Sequence, residues 1–191
     1  MTPMDQWKVA PSVALDGEAG THDGKDWIVR EAEFREAGGV AELVALAFGD
    51  VARRFDLHAG NCPTHPSLMT RERIERGMAL GTTMLLAFDG ETLCGCVGLR
   101  RPVEAVSILE RLAVAPPCRR LGLGRLLVGR ACSLAGRIGA GQVEIGIIAK
   151  QHELRQWYET LGFRAVRTAR FESLPFEVCY LRKHVGAKTP D

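Results

Sequence analysis

The hexapeptide Arg119-Arg-Leu-Gly-Leu-Gly124 has the composition of an anion cradle. It stands directly ahead of a helical apolar pattern, and a helix start leaves several backbone N–H groups without acceptors at its positive end. Gly122 and Gly124 let that backbone curl and approach a diphosphate closely, because no Cβ intervenes. Arg119 and Arg120 add cations for further phosphates. Two other anion-binding loops do not fit. A P-loop needs Lys-Ser or Lys-Thr after the glycines, and a dinucleotide fingerprint would place its third glycine where Leu127 stands. A second cluster, His58, Cys62 and His65, combines imidazole and thiol groups, the ligands that suit zinc. Three ligands at that spacing match no common structural zinc site, so no metal is expected.

Elements must hold these residues in place. Residues 1 to 25 are rich in Gly, Asp, Ser and Thr without periodicity, and read as an N-terminal arm. Asp26 to Arg30 is a short strand, and Val40, Leu43, Val44, Ala47 and Phe48 follow helical spacing. A loop with two prolines covers residues 57 to 69. Thr70 is placed to cap a second helix whose apolar positions are Ile74, Met78 and Leu80. Two apolar runs flank the hairpin dipeptide Asp89-Gly90, and Val106 to Val114 is a strand stopped by Pro116-Pro117. Leu123, Leu127, Ala131, Leu134 and Ile138 mark the helix behind the glycines, ended by Gly139 and Gly141. Val143 to Ala149, Glu153 to Leu161, Phe163 to Arg170 and Phe176 to Leu181 read as strand, helix, strand and strand. The order β-α-α-β-β-β-α-β-α-β-β predicts an α/β (α+β) fold: a mixed sheet of about seven strands flanked by four helices. One domain spans residues 26 to 184, and residues 185 to 191 form a tail.

Leu109-Glu-Arg-Leu-Ala-Val-Ala-Pro-Pro-Cys-Arg-Arg-Leu-Gly-Leu-Gly-Arg-Leu-Leu127 resembles the central motif of the GNAT N-acetyltransferase superfamily, Arg/Gln-x-x-Gly-x-Gly/Ala. Leu154-Arg-Gln-Trp-Tyr-Glu-Thr-Leu-Gly-Phe163 resembles its second motif. The resemblance runs from Trp27 to Arg182 and implies an acetyl-CoA-dependent enzyme that acetylates an unidentified amine. It implies that the main chain of Arg119, Arg120, Leu121, Gly122, Leu123, Gly124 and Arg125 holds the CoA diphosphate. Leu112, Ala113 and Val114 would pair with the pantetheine arm, one amide there polarising the thioester carbonyl. Tyr158 matches the tyrosine that protonates the departing thiolate, and a phenol is neutral and able to donate at pH 7. Glu110 is the candidate base, although many relatives place the acid where this chain has Ile108, and a salt-bridged Glu110 is the competing reading. Lys150 and Gln151 stand where many relatives have asparagine. Asn61, Cys62 and His65 lie in the loop where such enzymes build their acceptor site, and Ser173 to Phe176 would wall the same cleft. A CoA-binding regulatory or sensor module without catalysis is the alternative from another class.

The bulk composition adds exclusions. In 191 residues, 46% are hydrophobic and 25% charged, with a formal net charge of +2, so no excess of basic charge points to nucleic acid. No apolar run reaches the ~18 residues needed to span a bilayer. Met1 to Lys25 carries four acidic residues and no apolar core, which does not read as a secretory signal, so a cytoplasmic protein with six free thiols is expected. Homodimers are common in the family, but no apolar stripe marks an interface here.

Overall fold

A computed structural model describes residues 18–22 and 25–186. Its elements in chain order are β1 (Glu18–His22), β2 (Lys25–Glu31), α1 (Ala37–Arg54), α2 (Arg71–Ala79), β3 (Thr82–Asp89), β4 (Thr92–Arg100), β5 (Val106–Val114), α3 (Leu123–Arg137), β6 (Gln142–Ile148), α4 (His152–Thr160), β7 (Arg164–Arg170) and β8 (Glu177–His184). The strands form one sheet in the order β1-β2-β3-β4-β5-β6-β8-β7, antiparallel throughout except where β5 meets β6. Four α-helices flank it, as the order of apolar patterns predicts. Helices α1 and α2 pack on β3 to β5, while α3 spans β3 to β6.

Strand β1 is the addition. It pairs Glu18 with Val29 through His22 with Lys25, inside the stretch read as an arm. A sheet edge offers its backbone groups to any extended segment, so such pairing needs no hydrophobic periodicity. The rest of that stretch, up to residue 17, and the tail from residue 187 lie outside the described residues.

The core forms where the apolar patterns converge. Trp27, Leu43, Leu86, Leu127, Phe163 and Leu181 are fully enclosed, and all six cysteines are buried free thiols. Two local expectations fail. Thr70 occupies the N-cap position of α2, but its hydroxyl meets Glu72 rather than a helix amide. Leu80 is 80% exposed, because α2 stops at Ala79 and the chain turns at Gly81 with φ of 92°. The helical period no longer points residue 80 at the core once the helix has ended.

Candidate active site

Strands β5 and β6 run parallel and pair only from Val106 to Ile108, against Gln142 to Glu144. Among the described residues no strand covers that edge of β5 beyond Ile108, and a cavity of about 770 Å³ opens between the two strands. Leu112, Ala113 and Val114 line it from one side and Ile145 to Ile148 from the other.

The opening coincides with a distortion in β5. Gly98 faces Glu110 and Cys96 faces Ala113, so two steps on β4 oppose three on β5. This is a β-bulge, and Arg111 within it has a left-handed φ of 54°. The Cys96 thiol donates to the Arg111 carbonyl at 3.7 Å, and burial holds that thiol protonated, its pKa pushed up to about 12. The bulge takes the backbone of Arg111 and Leu112 out of the β4 ladder beside the cavity. No sequence pattern marked Arg111, since a bulge changes register without a composition of its own.

The glycine-rich turn lies past the end of β5. Arg120 and Gly122 both have positive φ, 63° and 75°, and Gly122 is the N-cap of α3 without a side-chain cap. Among the described residues the amides from Arg120 to Arg125 have no intramolecular acceptor, and the first helix bond at this end is Leu126 N–H to the Gly122 carbonyl at 3.1 Å. Such a row of amides at a positive helix end is chemically matched to a diphosphate. Arg120 is exposed and lines the cavity mouth.

Arg119 behaves differently from the expected mobile cation. Its guanidinium donates to the Val114 carbonyl at 3.2 Å, the Ala47 carbonyl at 3.0 Å and the Asp50 carboxylate at 2.9 Å. It therefore ties the end of β5 to α1. Its sequence position could not show this, because Asp50 lies 69 residues away.

Helix α4 contributes Leu154 and Tyr158 to the cavity wall, and its N-cap Gln151 lies there too. Tyr158 is 5% exposed, edge-on to Trp157 at 4.7 Å and to Phe163 at 5.4 Å. Burial, and then the nearby Cys132 thiol, raise its pKa above the ordinary phenol range. The phenol thus stays neutral at pH 7, with its O–H available as a hydrogen-bond donor. Glu110 also lines the cavity, with both carboxylate oxygens engaged: one by Arg111, the other by Arg100 Nε at 2.9 Å.

The candidate acceptor loop divides. His65 and Pro66 reach the cavity wall, whereas Asn61 and Cys62 do not. Asn61 staples its own loop, accepting from His58 N–H at 2.9 Å and donating to the Asp56 carbonyl at 2.7 Å. Cys62 is buried with Leu57 and Ile148, and burial raises its thiol pKa. Phe176, from the predicted wall segment, does line the cavity.

The pattern of the acetyltransferase (GNAT) family matches residues 51–163, more than half of the chain. The chain belongs to this family. As a GNAT acetyltransferase it is a transferase that takes acetyl-CoA as cosubstrate, and the free amides and open β5 edge are suited to that ligand. Similar solved structures share the fold at low identity. The ribosomal-protein-S18-alanine N-acetyltransferase of Escherichia coli is 13% identical with a TM-score of 0.64, over 86% of this chain and 99% of that one. The yncA protein of Salmonella typhimurium, solved with its cofactor acetyl-CoA, is 16% identical with a TM-score of 0.64, over 87% and 99%. A GNAT acetyltransferase from Staphylococcus aureus Mu50 is 18% identical with a TM-score of 0.64, over 83% and 99%. A search of curated proteins finds no match. Among the described residues, no helix of this acetyltransferase is long and apolar enough to cross a membrane.

Proposed function

We propose that this acetyltransferase moves the acetyl group of acetyl-CoA onto a primary amine by direct attack, with both substrates bound together. The observation that carries this reading is the parting of β5 from β6 after three paired residues, with Tyr158 in the wall of the opening. Acetyl-CoA supplies an activated thioester carbonyl. A C–N bond forms as the C–S bond breaks; the amine sheds protons and the departing sulfur gains one.

Each chain residue then has a task. The amides of Arg120 to Arg125 hold the diphosphate, and Arg120 adds a cation at the mouth. The exposed edge of Leu112 to Val114 orients the pantetheine arm as an added strand would. An amide at the bulge donates to the carbonyl oxygen, where charge grows as the amine attacks. Tyr158 Oη gives its proton to the leaving sulfur. Glu110 receives the ammonium proton, directly or through water, with Arg100 and Arg111 holding its carboxylate in place.

Release of CoA thiol from acetyl-CoA, followed over a panel of primary amines, tests the proposal. Amine-dependent release with mass-spectrometric detection of the acetylated product is the expected result. Calorimetric CoA binding with no transfer to any amine would replace it with the silent CoA-binding module.

A further inference from the structure

Among the described residues of the loop from 57 to 69, His65 is the one on the cavity wall that carries a titratable side chain, and its ring is fixed before any ligand arrives. It is 5% exposed and serves as N-cap of the 3-10 turn Pro66–Leu68. Its Nδ1 accepts from Ser67 N–H at 3.2 Å and lies 2.9 Å from Ser67 Oγ. The ring stands edge-on to Phe48 at 6.0 Å. A backbone N–H can only donate, so Nδ1 must be bare, and the proton of the neutral imidazole sits on Nε2. Among the described residues no hydrogen bond engages Nε2, and His65 is part of the cavity wall.

That assignment has a consequence for the acceptor. A fixed, mostly desolvated N–H offers nothing to an ammonium group or an alkyl chain, which leave it unsatisfied. An oxygen on the ligand satisfies it. We propose that the acceptor amine carries a hydrogen-bond-accepting oxygen near its nitrogen, a carboxylate or an amide carbonyl, and that His65 Nε2–H binds that oxygen. The inference rests on the amine-acetylation reading for its setting. In this arrangement His65 is a specificity residue and not the base, because Nε2 already carries the proton and Nδ1 is engaged by Ser67 N–H. Pro66 fixes its own φ at the first turn position, and the turn's Ser67 N–H holds the ring in place, which lowers the cost of binding.

The test uses protein carrying 15N-labelled histidine, with CoA bound. Phenylalanine, its carboxamide and phenethylamine are titrated in, alongside glycine, glycinamide and ethylamine. The free protein should show His65 with a protonated Nε2 and a bare Nδ1. Oxygen-bearing amines should shift the Nε2 signal, and plain amines should not. The carboxylate and carboxamide arms show which oxygen is preferred. In turnover, His65→Phe should shrink the preference for oxygen-bearing over plain amines by about 10- to 100-fold, and His65→Gln, which keeps an N–H, should restore part of it. A proton found on Nδ1 would overturn the inference. So would an Nε2 signal that no oxygen-bearing amine moves, or a variant that weakens every amine equally. A protein inactive on all amines whose Nε2 still responds sinks the catalytic reading alone. An active enzyme with a silent Nε2 sinks this one alone.

Discussion

Glu110 and Arg111 are neighbours in the chain, yet their side chains meet. In a regular strand consecutive side chains point to opposite faces and cannot pair. The left-handed backbone at Arg111, φ 54°, brings its guanidinium onto the Glu110 carboxylate. The same bulge frees main-chain groups at the point where β5 leaves β6. The ion pair thus has a backbone cause, in a bulge that lies just past the last residue of β5 paired with β6. Left-handed geometry at a non-glycine costs on the order of 1–2 kcal/mol, and contacts around the bulge, including Arg100 and the Cys96 thiol, offset it.

Tyr158→Phe removes one hydroxyl while keeping both edge-to-face ring contacts. Turnover should fall by roughly 10²- to 10⁴-fold, the range for loss of a general acid, with acetyl-CoA affinity nearly unchanged. Because burial raises the Tyr158 pKa, the wild-type rate should not decline from phenol ionisation until above the ordinary value of about 10. Steady-state rates across pH, with calorimetry for affinity, check both statements. Full turnover in the variant rejects the acid role.

Glu110→Gln keeps the shape and removes the negative charge between Arg100 and Arg111. Turnover should drop by about 100-fold or more if the carboxylate accepts the amine proton. A variant with full turnover and a lowered melting temperature would instead make Glu110 a purely structural ion-pair partner.

Arg120→Gly should separate stability from binding. The arginine is exposed and left-handed, φ 63°, so glycine relieves about 1 kcal/mol of backbone strain, offset in part by added freedom of the unfolded chain. The melting temperature should hold or rise, while acetyl-CoA affinity falls several-fold and loses part of its salt dependence. Unchanged affinity would remove Arg120 from the phosphate site.

Acid should loosen the loop from 57 to 69 through His65. Burial depresses its folded-state pKa below the unfolded value of about 6.5. As pH falls, the unfolded chain takes up the proton first, so the His65 contribution to stability is complete above about 6.5 and is lost as pH drops through the folded value. Protonation also turns Nδ1 into a donor facing Ser67 N–H. Thermal melts below pH 6.5 should show a steeper decline for the wild type than for His65→Phe. Parallel curves would assign the acid sensitivity elsewhere.

Much of this was legible in the primary structure, because it depends on local rules. Apolar periodicity set nearly every strand and helix; β5 runs from Val106 to Val114, as its pattern requires, and α3 begins at Leu123 directly after the glycines. Glycines ahead of a helix start imply free amides whatever surrounds them. Tertiary structure decided the rest, since those features depend on partners distant in sequence. Nothing near Arg119 announced that Asp50 and Ala47 would occupy its guanidinium. Nothing near Arg111 announced a bulge, which exists only relative to the register of β4. The His58/Cys62/His65 loop shows the division most clearly. Its residue types suggested ligands, but packing buried Cys62 in an apolar cluster, turned Asn61 onto its own loop and left His65 facing the cleft. Residue type states what a side chain can do, and burial and register determine whether it meets a substrate.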